Sequence, residues 1–152
     1  MTVGHLPIEQ LLPHGPSMVL LDEVLSVGDD ALSAAVVIRR SAPFFEPGGV
    51  PCHIGIEYMA QACGAFAGAE ARAAGEAVRI GYLLGTRRFT SVVDRFAEGD
   101  RLIVTAALSY RDEAMGVFDC RIERLGEKIA TAQLTVFQPP QSPSAAPARG
   151  PR

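Results

Sequence analysis

His53, Glu57 and Gln61 are the strongly polar side chains in an otherwise apolar or small run, CHIGIEYMAQACGAFAGA, from Cys52 to Ala69. On a helix, positions i, i+4 and i+8 fall along one stripe, because each step of four goes little beyond a full turn. The apolar surroundings predict a buried helix carrying an acid on one side. A buried carboxylate is costly unless it is paired or used, which makes Glu57 the leading candidate for chemistry. His53 and Glu57 have a spacing that can chelate a metal ion. Only two ligands are visible there, however, and a metal site is set aside. Tyr58 and Met59 read as core.

The elements that must position this stripe can be read around it. Pro51, a favourable first helical residue, predicts a helix that runs to about Ala74, with Gly75 as its C-terminal cap. Ahead of it, SAPFFEPGGVP has too much Pro and Gly for regular structure. Residues Leu6 to Leu12 could form a short helix closed by Pro13. The segments Met18 to Val27 and Ala31 to Arg39 flank Gly28-Asp29-Asp30 and read as a hairpin. After the helix, strands are expected over Arg79–Thr90, Arg101–Arg111, Gly116–Arg124 and Lys128–Phe137. Turns are expected at Glu98-Gly99-Asp100, Arg111-Asp112-Glu113 and Leu125-Gly126-Glu127. Alternation is plain in the last strand, with Ala130, Ala132, Leu134 and Val136 on one face. The tail from Gln138 is Pro-rich and expected to be disordered, leaving residues 1–137 as a single domain.

One long apolar helix beside about six meandering strands implies an α+β fold in which an antiparallel sheet curls around the helix. A sheet of short strands cannot cover every side of such a helix, so a second subunit should hide the rest, predicting a dimer. Gly64 and Gly68, one turn apart, allow close backbone approach, either to sheet or partner or within the chain.

The 152-residue chain has a net charge of -3 and a sequence pI near 5.6. That balance argues against a nucleic-acid binder, since phosphate binding relies on clustered Lys and Arg. Cys52, Cys63 and Cys120 lack metal-ligand spacing, and their odd number fits a reducing compartment. The N-terminus has neither the basic start nor the apolar stretch of a signal peptide, so the cytoplasm is the expected location. Glu57 and Gln61 interrupt the apolar helix before it reaches membrane-spanning length, so no membrane association is expected.

Taken in order, LPHGPSMVLLDEVLSV, then PFF, then a Pro-initiated helix containing GIEYMAQA, then GTRRFTSVVDRFAEGDRLIV, resemble the hotdog-fold 3-hydroxyacyl-[acyl carrier protein] dehydratases of the FabZ/FabA type. The similarity runs from Leu12 to Phe137 and is most specific at Glu57-Tyr58-Met59-Ala60-Gln61-Ala62, which looks like the family's E-x-M-A-Q helix. The IGIEYMAQ entry is closer to a divergent subgroup found with aryl polyene-type lipid synthesis.

The resemblance implies a hotdog fold, no metal or organic cofactor, and a 3-hydroxyacyl thioester on the phosphopantetheine arm of acyl carrier protein as substrate. It implies that a histidine removes the C2 proton, that Glu57 assists loss of the 3-hydroxyl as water, and that helix-entry N–H groups face the thioester carbonyl. Apolar helix on each side of Glu57 would raise its pKa by desolvation. Cys52, Ile54 and Gly55 at the helix entry, with Gln61 one turn beyond Glu57, are the implied substrate-binding residues. Arg87, Arg88 and Arg95 are candidates for meeting an acidic carrier protein.

The family's usual histidine, in a Gly-His-Phe-Pro before the helix, is replaced here by FFEPGGVP. His53 at the helix entry and His14 in Leu12-Pro13-His14 are the candidate replacements, and His5 is discounted. Three readings stay open: an active dehydratase with a relocated histidine, a subunit of a heterodimeric hotdog dehydratase whose partner supplies the base, and a hotdog acyl thioesterase. A non-catalytic acyl-binding module would want the same apolar tunnel without needing Glu57 as an acid.

Overall fold

Val, Ile and Thr recur through the chain between turn residues, the composition that favours pleated, half-buried strands. In the computed structural model, which describes residues 7–12, 19–79 and 81–139, they form strands before and after one helix in the chain. In chain order these are β1 (Glu23–Val27), β2 (Ala31–Val37), β3 (Val50–Pro51), α1 (Gly55–Ala73), β4 (Tyr82–Ser91), β5 (Arg95–Phe96), β6 (Arg101–Asp112), β7 (Met115–Arg124) and β8 (Glu127–Phe137). Six of them make one antiparallel sheet in the order β1-β2-β6-β7-β8-β4. The α+β architecture expected from sequence is therefore present. The two-residue strands β3 and β5 pair separately, an addition that no periodicity could signal in so short a stretch.

Several boundaries differ from the sequence expectation, each for a local reason. The first strand starts at Glu23, because the Leu20 N–H donates to the side chain of Gln61 instead of to a neighbouring strand. Met18 lies outside the described residues. At the N-terminus, Ile8–Gln10 form a 3₁₀ turn where a longer helix is expected; Leu6 lies outside the described residues. Pro51 belongs to β3, with extended ψ of 143°, and is followed by a 3₁₀ turn over Cys52–Ile54, so α1 starts at Gly55. The hairpin joining β6 to β7 turns at Glu113–Ala114, one step later than expected.

The helix ends as its sequence suggests. The Gly75 N–H donates to the Arg72 carbonyl at 3.1 Å and the Glu76 N–H to the Ala71 carbonyl at 2.7 Å, the crossed pair of bonds that closes a helix at glycine. Along its length, Met59, Ala62, Cys63, Ala65 and Phe66 are buried on the sheet with Leu102, Val104, Ile122 and Leu134. The Phe66 ring meets Phe118 edge-on at 5.8 Å. Gly68 packs against the N-terminal turn of the same chain, where a Cβ would lie 2.1 Å from the Leu11 carbonyl oxygen. Of the approaches open to the Gly64 and Gly68 pair, the one at Gly68 is thus made within the chain. Among the described residues no helix is long and apolar enough to cross a membrane.

Candidate functional site

The sheet covers one side of α1 and the N-terminal turn covers part of another, which leaves a strip open. Along it Glu57 is exposed, while Ile56, Ala60, Gly64, Ala67 and Glu70 are half-buried. The expectation of a buried Glu57 is therefore corrected. The carboxylate stands on the uncovered side, because nothing among the described residues reaches over it.

The stripe of three polar residues is also divided. Each step of four along α1 carries a side chain about 40° past a full turn, so Gln61 is rotated by about 40° from Glu57. That rotation turns Gln61 inward, where it is 6% exposed and its side-chain oxygen accepts the Leu20 N–H at 2.8 Å. His53 lies in the 3₁₀ turn before α1 and is exposed. No hydrogen bond or ion pair joins it to Glu57 among the described residues. His14 and His5 lie outside the described residues, as does the tail from residue 140.

At the helix entry, Cys52 is half-buried and its N–H donates to the Asp94 carbonyl at 2.9 Å. Ile54 is buried. Gly55 is packed against Phe96 and Ile122, and its N–H donates back to the carbonyls of Cys52 and His53. The amides of Cys52 and Gly55 are thus spent inside the chain. An oxyanion would have to draw its donors from other groups.

Glu57 borders a cavity of about 180 Å³, lined by Ala60, Gln61 and Gly64 from the helix, Leu12, and Arg79, Gly81, Leu83 and Val136 from the sheet side. Acid and apolar wall thus meet at one opening, an arrangement suited to holding an acyl chain beside a proton donor. Leu12, Leu83 and Val136 escape a sequence reading, because they approach the helix only through tertiary packing. A larger concavity of about 510 Å³ lies on the outer face of the sheet, among Arg88, Asp119, Arg121, Lys128, Thr131 and Gln133. It is remote from Glu57 by topology, since these residues alternate with the core-facing ones of β7 and β8. Arg87 and Arg88 are exposed on β4. Arg95 lies in β5 and is ion-paired with Glu46 at 2.9 Å, so the three arginines do not form one free group. Among the described residues no cluster of His, Cys, Asp and Glu suits a metal ion.

A single long helix laid along an antiparallel sheet, with an acid at its open face, defines a hotdog-fold subunit. Solved structures agree in fold: a hypothetical thioesterase with coenzyme A from Streptococcus pneumoniae TIGR4 superposes with a TM-score of 0.63 at 14% identity, covering 78% of this chain and 86% of that one. The PaaI protein of E. coli gives 0.59 at 15% identity, covering 75% and 80%. The chain belongs to the ApeP-like family, described as ApeP dehydratase, whose model matches residues 6–146. It is 34% identical to a chain of the dehydratase heterocomplex ApeI:P from Xenorhabdus doucetiae, with a TM-score of 0.87 over 91% of this chain and 94% of that chain. Comparison with curated proteins gave no match.

Proposed function

We propose that this chain is the acid-bearing subunit of a two-subunit hotdog dehydratase acting on a 3-hydroxyacyl group tethered to acyl carrier protein. In that reaction a base takes the C2 proton, the C3–O bond breaks as Glu57 protonates the departing hydroxyl, and trans-2-enoyl thioester and water result. The observation that carries this reading is Glu57 exposed at the mouth of an apolar cavity on the uncovered side of α1. A dehydratase role follows from family membership. The carrier protein, the acyl substrate and a cytoplasmic setting are parts of the proposal.

A second subunit is favoured over His53 acting alone by two features. His53 is exposed and makes no bond to Glu57, and β4 is an edge strand whose Tyr82, Leu83 and Leu84 are 53%, 40% and 58% exposed. An exposed apolar edge invites another strand or subunit. Cover from such a partner would take Glu57 out of water and bring a base from the other side. The relative in the ApeI:P heterocomplex supports this arrangement. Hydrolysis of the thioester is disfavoured, because the thioesterase neighbour shares the fold alone at 14% identity.

The test is to incubate 3-hydroxyacyl-carrier-protein with the purified chain, with a hotdog partner, and with both, following the acyl group by mass spectrometry. Loss of water only with both present is expected. Robust dehydration by the chain alone would remove the partner from the mechanism. Release of a free acid would replace dehydration by hydrolysis.

A further inference from the structure

A second cavity lies farther along the same open strip of α1. It also measures about 180 Å³, and its walls include Cys63, Ala67 and Glu70 of the helix with Met115 and Phe118. The two cavities share two residues, Arg79 and Val136. They follow one line on the helix, from Glu57 past Ala60 and Gly64 to Ala67 and Glu70. At the helical rise this line covers about 20 Å. Its far end is closed by Glu70, which receives two hydrogen bonds from Arg111, at 2.6 and 3.2 Å.

Arg79 is held where the cavities meet. Its guanidinium donates to the Pro139 carbonyl at 2.9 Å and to the Gln138 side-chain oxygen at 3.4 Å, and the Gln138 amide donates back to the Arg79 carbonyl at 3.0 Å. The side chain is therefore held by two bonds, and the Arg79 backbone by a third, to the two residues that follow β8. Beyond it, Cys63, Ala67, Met115 and Phe118 share the walls with Glu70, Arg111, Glu113 and Gln138, around a space that the cavity beside Glu57 does not reach on its own.

We propose that Arg79 is a specificity-determining residue: a bar across the acyl groove that sets the longest chain the site accepts. The inference rests on the dehydratase reading given above. A chain entering beside Glu57 fills the first cavity and meets the guanidinium, which stays hydrogen-bonded and so resists being pushed aside by methylenes. The first cavity has room for about six groups of water size, at ~30 Å³ each. Opening the bar would add about as much again.

The experiment compares wild-type chain and variants, each in the complex with its hotdog partner, on short, medium and long 3-hydroxyacyl-carrier-proteins. In R79A, kcat/KM for chains longer than the wild type accepts should rise about tenfold or more, the scale of discrimination per misfitting methylene. Short chains that end before Arg79 serve as the reference, so the quantity read is the ratio of long-chain to short-chain kcat/KM. Q138A, which removes one of the guanidinium's two hydrogen bonds and trims a wall residue of the second cavity, should shift the profile the same way by a smaller factor. A67F fills the second cavity; it should cancel the R79A gain in the double variant and leave wild-type specificity untouched when alone. An unchanged length profile in both R79A and Q138A would overturn the bar. So would a loss of the wild type's own preferred substrate in A67F, which would place the chain already beyond Arg79. A wild-type complex that dehydrates no substrate of any length would instead overturn the dehydratase reading, and the bar with it.

Discussion

The two sides of α1 are built from nearly the same residues and meet opposite conditions. Facing the sheet are Met59, Ala62, Cys63, Ala65 and Phe66, all buried; facing out are Ile56, Ala60, Gly64 and Ala67, half-buried, with Glu57 exposed. Alanine and glycine serve both sides. Small residues on the inner side let the helix settle closely onto the strands, whereas on the outer side they leave a groove. The difference teaches that small apolar residues on a helix announce close approach without saying of what. The inner side should be read by stability, and the outer side by activity.

The sharpest way to break this contrast is Glu57→Gln. Removing a proton donor of this kind costs about 10²- to 10⁴-fold in turnover. Because the side chain is exposed, unfolding free energy should move by no more than about 0.5 kcal/mol. Both are measured on the same preparation, turnover in the reconstituted complex and unfolding in urea. A variant that loses stability together with activity would make Glu57 part of the inner scaffold.

The converse change is Phe66→Ala. This ring is fully buried and in edge contact with Phe118, so its loss should cost about 3–5 kcal/mol in urea unfolding. Turnover per folded molecule should change far less than in Glu57→Gln. Equal losses of activity in the two variants would erase the distinction between the sides.

How much of this was legible in the sequence follows the same division. The long helix, its glycine-capped end and the four long strands after it are local signals: apolar runs, alternation, and turn residues between them. β3 and β5 carry no such signal, because two residues have no period. Glu57 was legible as the outstanding residue, since its charge contrasts with its neighbours in the chain itself. Its exposure was not, because burial depends on what lies across from the helix, and a helix nearly apolar all round gives no sign of which face stays open. Gln61 illustrates the limit within one stripe: the same spacing that aligns it with Glu57 also rotates it under Leu20. Arg79, read from sequence as the first residue of a strand, gains its place between two cavities only when the end of β8 folds back beside it.

The smallest of the expected effects tests the inner side by pH. Tyr58 is 3% exposed, and its phenol is pushed up to about 12, first by burial and then by the negative charge of Asp22. Cys63 is pushed up as well, by burial first and then by Cys120, whose sulfur lies 3.7 Å away. In both cases the folded chain holds its proton more tightly than the unfolded one. The unfolded state therefore releases the proton first as pH rises. The stabilisation is fully present below the ordinary thiol and phenol values, 9.0 and 10.0, and is lost as pH climbs through the raised folded values, about 12 for Tyr58. For Tyr58 alone a shift of that size corresponds to roughly 2–3 kcal/mol. Urea unfolding of the wild type at a series of alkaline pH values should show this decline, and Tyr58→Phe should show a shallower one by about that amount between pH 10 and 12. Parallel curves would mean that the phenol is solvated, and that the sheet side of α1 is less closed at Tyr58 than at Phe66.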